Sequence, residues 1–274
     1  MDGSILSLKI ATWNINSVRL RLPLVLRYLQ DHQPDVLCLQ ETKCPDDAFP
    51  TREFERAGYG FVAKNGQKGY HGVALIARVP LTSIHARGFC GLGDARHISA
   101  EIADGAKMLR LHNFYVPAGG DEPDPEINPK FAHKLSFLDE MRAWFHSDAA
   151  VRDHALLVGD LNIAPLEHDV WSHKALVNVV SHTGVEIEAL KNVQSAGLWF
   201  DALRAHVPEE RKLYTWWSYR SPDWEVADKG RRLDHVWLSP SLAPRLKAMD
   251  ILREARGWER PSDHVPVMVH IASA

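Results

Sequence analysis

The chain is poor in cysteine, has no long apolar run and carries little excess of either charge. Its 274 residues include three cysteines, Cys38, Cys44 and Cys90, with no Cys-x-x-Cys. That odd count weighs against a disulfide framework and fits a reducing compartment, so a cytoplasmic location is expected. No stretch approaches the roughly 18 apolar residues of a membrane span, so no membrane partner is expected. The opening MDGSILSLKIATW is interrupted by Asp2 and Lys9, unlike a secretory signal. Lys and Arg number 32 against 35 Asp and Glu, a net charge of −3. Bulk field alone therefore cannot hold nucleic acid; a local basic rim or a bound metal would have to. Gly-x-Ser-x-Gly is missing, which leaves a serine hydrolase without support. A Walker loop and Gly-x-Gly-x-x-Gly are missing too, which does the same for nucleotide-dependent chemistry.

What is present suits a folded enzyme. Apolar residues make up 45% of the chain, enough to offset conformational entropy and argue against disorder. Short apolar runs bounded by polar, Gly or Pro positions recur at Leu8–Trp13, Asp35–Leu39, Val73–Ala77, Met108–Val116, Ala155–Val158, Val236–Leu238 and Val265–Ile271. These read as buried strands. Helical spacing predicts helices over Val18–Asp31, over Lys130–Phe145 after Asn128-Pro129, and more weakly over Val185–Ala196. Strands and helices alternate throughout, which predicts an α/β or α+β sandwich. No linker divides the chain, so residues 1–274 read as one domain. Pro117–Asn128 and Pro165–Thr183 read as loops long enough to be functional.

The polar residues that follow the strands carry the chemistry. Asn14 and Asn16 follow the first run, Gln40 and Glu41 the second, and Asp160 and Asn162 the Ala155 run. Ser262, Asp263 and His264 precede the last. Residues two apart in an extended chain face one side, so these groups can converge on one rim of a sheet. A set of one Glu, two Asp, Asn residues and one His suits a hard cation, Mg²⁺ or Mn²⁺, better than zinc.

The order of these motifs carries a resemblance. Lys9–Asn16 (KIATWNIN), Leu39–Lys43 (LQETK), Gly69–Ala74 (GYHGVA), Asn113–Gly119 (NFYVPAG), Gly159–Ala164 (GDLNIA), Tyr214–Trp217 (YTWW), Arg232-Leu-Asp234 and Ser262–Pro266 (SDHVP) follow one another across nearly the whole chain. The chain resembles bacterial exonuclease III, the apurinic/apyrimidinic (AP) endonuclease branch of the endonuclease/exonuclease/phosphatase superfamily. The resemblance implies a four-layer α/β sandwich of two packed mixed sheets flanked by helices. It implies hydrolysis of a DNA phosphodiester 5′ to an abasic site, leaving a 3′-hydroxyl, and 3′-to-5′ trimming of double-stranded DNA. The enzyme is expected to act as a monomer with one or two metal ions.

Roles follow by the same resemblance. Glu41 is the principal metal ligand, with Asn14, Asp160, Asn162, Asp263 and His264 as further candidates. Asp160 or the His264–Asp234 pair activates the water, Asn162 holds phosphate or water, and Tyr115 contacts the phosphate or leaving oxygen. Trp216 and Leu233 line a slot for the flipped-out abasic sugar. Phosphate contacts are expected from Arg19, Arg21, Lys64, Lys68, Arg96, Arg220, Lys229 and Arg231, with Tyr70 beside them. Arg231 stands where some relatives carry a pocket-closing aromatic, which implies a more open pocket or an added phosphate contact. His71, His168 and His173 also depart from the better-known members. Two other readings are a phosphatase-type superfamily member and a non-catalytic nucleic-acid-binding member. The complete set of site residues argues against loss of catalysis.

Overall fold

A computed structural model describes residues 7–221 and 223–274. Its first sheet contains β1 (Ser7–Asn14), β2 (Val36–Gln40), β3 (Phe61–Asn65), β4 (Val73–Ala77), β13 (Leu246–Ile251) and β14 (Val267–Ala272). They lie in the order β13-β14-β1-β2-β4-β3. The second contains β5 (Thr82–His85), β6 (His97–Asp104), β7 (Lys107–Tyr115), β8 (Ala155–Asp160), β9 (Phe200–Asp201) and β12 (Asp234–Leu238), in the order β5-β6-β7-β8-β12-β9. A short ribbon pairs β10 (Trp216–Trp217) with β11 (Gly230–Arg231). Each large sheet is mixed, with one parallel pair at its centre, β1 with β2 and β7 with β8.

The continuous apolar runs are explained by burial on both faces. In β1, Ile10 faces the second sheet while Ala11 and Trp13 face a helix layer. In β8, Leu156 and Val158 fill the space between the sheets, and Ala155 and Leu157 face outward to helices. Val25, Tyr28 and Leu29 of helix Leu22–His32 cover the first sheet. Helices Pro129–Ser147 and Gly184–Ala196 cover the second through Phe137, Leu138, Met141, Leu190 and Val193. The result is the expected helix–sheet–sheet–helix sandwich.

Helix boundaries follow capping chemistry. Asn128 caps its helix by accepting a hydrogen bond from Lys130 N–H at 3.0 Å. Thr183 and Glu186 form a reciprocal capping box on Gly184–Ala196, which gives the weaker pattern its start. The first helix begins at Leu22 rather than Val18, because Asn16 and Ser17 take positive φ and the chain turns before Pro23. Pro165–Thr183 is not wholly irregular: Ser172 caps a helical turn over His173–Leu176. Edge strands such as β13 are only half-buried, so they leave no apolar run in the sequence.

Candidate active site

The carboxyl ends of both parallel strand pairs open onto the same rim. Asn14 ends β1 and Glu41 follows β2; Tyr115 ends β7 and Asp160 ends β8. Antiparallel pairing places Asp234 opposite Asp160. His264 lies in the turn before β14, fixed where its carbonyl accepts from Trp13 Nε1 at 3.0 Å. Ser262 ties that turn to β1, its Oγ donating to the Asn14 carbonyl at 2.6 Å and accepting from His264 N–H at 3.2 Å. Gly159 has φ 141°, and a Cβ there would sit 1.9 Å from the Phe114 carbonyl oxygen, so only glycine lets β7 and β8 deliver Tyr115 and Asp160 together. Asn16, Glu41, Lys43 and Asn162 all take left-handed backbone conformations. Strained positions of this kind concentrate at functional sites.

Glu41, Tyr115, Asp160, Asn162, Asp263 and His264 line a cavity of about 250 Å³, with Trp216, Arg231 and Leu233 on its other walls. Asn14 is buried behind it and bridges two carboxylates, its Nδ2 donating to Glu41 Oε1 at 2.9 Å and Asp160 Oδ2 at 2.8 Å. Asp160 also accepts from Asn162 N–H at 2.9 Å and Asn162 Nδ2 at 3.2 Å. His264 Nδ1 donates to Asp234 Oδ2 at 2.8 Å, and its Nε2 lies 3.6 Å from Asp160 Oδ2. Asp234 Oδ2 accepts a second bond from Thr215 Oγ1 at 2.6 Å. Thr215 Oγ1 in turn accepts from Leu233 N–H and Asp234 N–H at 3.1 Å each, which leaves its own proton for the carboxylate.

Burial and neighbouring charge set the protonation states. Burial pushes Asp160 up to about 7, with Asp234 and Glu41 adding to it and His264 opposing. Burial works against a charged His264, yet the Asp234 and Asp160 carboxylates overcome it and raise the imidazole to about 10. Burial likewise opposes ionisation of Glu41, but the Lys43 ammonium, 2.9 Å from Oε2, and the Asn14 amide hold it below its ordinary value. Asp263 is held low against burial by His264 and by bonds from Trp216 Nε1 (2.9 Å) and Asn16 Nδ2 (3.2 Å). Burial keeps the Tyr115 hydroxyl protonated, and Glu41 and Asp160 reinforce that.

The donor set fits a hard divalent cation. Glu41, Asp160 and Asp263 line the cavity, and carboxylate oxygens clustered in this way suit a hard divalent cation. Among the described residues, Asp160, Asp234 and His264 place ligand atoms within 4.8 Å of one another. His264 itself is a poor ligand, because a protonated imidazole bonded to Asp234 has no free lone pair. Asn162 donates through Nδ2 to the Val116 carbonyl at 2.9 Å and to Asp160 at 3.2 Å, which orients the side chain and leaves Oδ1 as its ligand atom.

The surface candidates divide. Arg19, Lys68 and Tyr70 are exposed, and Arg231, Trp216 and Leu233 border the cavity. Arg96 departs from the expected phosphate contact. It is buried, with Nε on Asp94 at 3.0 Å, NH1 on the Tyr115 carbonyl at 3.2 Å and its guanidinium 4.9 Å from the Tyr115 ring centre. It braces Tyr115 from behind. Arg21 is also buried, bound to the carbonyls of Arg260 and Pro261 and to Tyr219 Oη. Lys64 bonds Thr51 Oγ1 at 3.2 Å. His71 is half-buried, 3.7 Å from Asp94, with its ring centre 6.2 Å from that of Tyr115. His173 Nδ1 lies 2.8 Å from His182 Nε2. His168 is half-buried, and its carbonyl accepts from Leu213 N–H at 3.1 Å. Sequence reasoning missed Thr215 and Lys43, though both lie inside the motifs Tyr214–Trp217 and Leu39–Lys43; their partners come from other strands or sharp turns.

Known proteins share this fold and much of this sequence. Residues 11–264 match the Endonuclease/Exonuclease/phosphatase family. The chain is 30% identical to exodeoxyribonuclease III of Haemophilus influenzae, over 95% of this chain and 98% of that protein. An AP endonuclease from Archaeoglobus fulgidus superposes with a TM-score of 0.88 at 34% identity, covering 96% of this chain and 99% of that one. A 3′ phosphatase, NExo, from Neisseria bound to a product DNA hairpin superposes with a TM-score of 0.87 at 32% identity, with the same coverage. Fold and sequence agree that this chain belongs to the endonuclease/exonuclease/phosphatase family.

Proposed function

We propose that this chain is a DNA phosphodiester hydrolase of base excision repair, incising 5′ to abasic sites and trimming 3′ ends of double-stranded DNA. The observation that carries this reading is a buried Asp160–His264–Asp234 cluster facing Trp216 and Leu233 across one small cavity. A charged phosphodiester and an apolar sugar slot are both served there.

Glu41, with Asn14 behind it and Asp160 and Asp263 nearby, would hold Mg²⁺ or Mn²⁺. When bound, the ion supplies positive charge to the phosphate oxygens. Asp160 is the group suited to take a proton from the attacking water. Its raised value of about 7 makes it a base matched to neutral pH. His264 is not, since its Nε2 keeps a proton until about pH 10; it offers that N–H and its charge to a phosphate oxygen. Asp234, steadied by Thr215, orients the ring and sustains its charge. Tyr115, protonated and braced by Arg96, donates toward the phosphate or the leaving oxygen. Asn162 fixes Asp160 through its backbone and side-chain N–H groups. Trp216 and Leu233 bound the sugar slot, and Arg19, Lys68 and Tyr70 supply outer contacts to the duplex. Among the described residues no helix is long and apolar enough to cross a membrane. A cytosolic monomer of one domain completes the proposal.

The test is a duplex carrying one abasic-site analogue and a recessed 3′ end, incubated with Mg²⁺ or with EDTA. Metal-dependent incision and trimming are expected. Release of phosphate from small phosphoesters with no DNA cleavage would overturn the reading, as would DNA binding by folded protein with no cleavage.

A further inference from the structure

Beside the catalytic cavity lies a larger one of about 770 Å³, lined among others by Trp171, Val179, Trp216, Arg220, Lys229 and Arg231. The two cavities share a wall made of Gly120, Val180, Trp216 and Arg231. Both tryptophans carry a cation against a ring: Lys229 Nζ is 4.8 Å from the Trp171 ring centre, and the Arg231 guanidinium is 5.4 Å from that of Trp216.

The cations here lack counter-charges. Among the described residues Arg220, Lys229 and Arg231 form no ion pair, although Asp121 is also on the lining. The adjacent Arg232, by contrast, is clamped by Asp169 at 2.9 Å and Asp201 at 2.6 Å. Arg231 NH1 bonds the Val180 carbonyl at 3.0 Å and Ser181 Oγ at 2.7 Å, while its buried Nε has no partner. Flat aromatic walls interleaved with cations are the physical recipe for an unpaired nucleotide, since any base has a face to stack and carries phosphate with it.

We propose that this second cavity is an annex that receives the base of an unpaired 3′-terminal nucleotide whose sugar occupies the Trp216–Leu233 slot. The inference rests on the nuclease reading above and deepens it. A sugar held against Trp216 points its C1′ substituent either at a closed wall or into further space. Here the annex adjoins the slot along Trp216 and Arg231, which line both cavities. An abasic residue uses the slot alone; an intact nucleotide displaced from the duplex uses slot and annex together. The annex therefore favours removal of frayed or mismatched 3′ nucleotides and leaves abasic-site incision unaffected.

Two experiments decide it. The first measures binding by tryptophan fluorescence, with Mg²⁺, of 2′-deoxyadenosine 5′-monophosphate and of 2-deoxyribose 5-phosphate. Wild-type protein should prefer the nucleotide about fivefold or more, the low end for one stacked base. Val179→Trp, which fills the annex, and Trp171→Ala, which removes its stacking wall, should both abolish the preference. Equal affinity for the two probes in wild-type protein, or a preference untouched by both variants, overturns the proposal. The second compares duplexes with a mismatched 3′ terminus and with an internal abasic analogue. Both variants should slow removal of the mismatched nucleotide about tenfold or more while incision stays within about twofold. Equal loss on both substrates overturns it. If wild-type protein cuts neither DNA, the nuclease reading fails, and the nucleotide comparison still decides the annex.

Discussion

Replacing Asp234 by Asn tests the electrostatics of the site most directly. The amide preserves the shape of the side chain, and its oxygen can still accept from His264 Nδ1, now 2.8 Å from Asp234 Oδ2. What it removes is the negative charge that, with Asp160, lifts the imidazole from 6.5 to about 10 against its burial. Returning the ring to its ordinary value weakens the charged form by about 5 kcal/mol. The sign is clear: the wild-type ring keeps its proton until the pH passes about 10, whereas the variant ring loses it above about 6.5. At pH 8 only about 3% of variant rings stay charged, so cleavage should fall about thirtyfold from protonation alone. Near pH 6 most rings are charged again and the deficit should shrink to a few-fold. Above about pH 6.5 Asp160 loses two opposing influences, the raising by Asp234 and the larger lowering by charged His264, so the ascending limb should move to higher pH and the profile should narrow. Single-turnover incision of an abasic-analogue duplex with Mg²⁺ between pH 5.5 and 10.5 reads this, with circular dichroism as the fold control. A loss equal at every pH would refute the reasoning and leave Asp234 as a purely geometric support.

Glu41→Ala should leave the fold intact and weaken Mg²⁺ activation, read as a rightward shift of the metal titration; wild-type metal dependence would remove Glu41 from the metal site. Asp160→Asn should lower kcat by about 10²–10⁴-fold with DNA affinity retained, the usual worth of a positioned base; a change confined to KM would contradict its role. Thr215→Val removes the hydroxyl that donates to Asp234 at 2.6 Å and receives two backbone N–H groups; lower kcat with unchanged metal affinity is expected. Lys134 is wholly buried against Glu186 and also donates to the Asn162 carbonyl at 2.9 Å. Lys134→Met should cost about 3–5 kcal/mol in urea unfolding, because it strands a buried carboxylate; a loss under about 1 kcal/mol would show that Glu186 is satisfied by its bonds from Ser181 and Thr183 alone.

Much of the architecture was legible in one dimension. A strand buried on both faces must be apolar along its length, so β1, β2, β4, β7, β8, β12 and β14 announce themselves. Strands such as β13, half-exposed at a sheet edge, do not. Asn14, Glu41, Asp160 and His264 were legible because each is a polar residue interrupting or bounding such a run, and the order of their motifs is specific. Arg96 misled for the opposite reason. A basic residue in a loop looks like a phosphate contact until the fold shows that its guanidinium is spent on Asp94 and Tyr115.

The amino-acid sequence by itself determined the strands, the family motifs and the identity of the polar groups at the strand ends, because these depend on local pattern and on residue type. Only the tertiary structure decided what those groups do to one another. Asn14 reaches Asp160 across 146 residues, and His264 reaches Asp234 across 30. A proton's affinity depends on burial and on charges brought near by other strands, so the raised carboxyl of Asp160 and the raised imidazole of His264 exist only once both sheets have packed. The annex beside Trp216 is likewise a property of walls from separate segments.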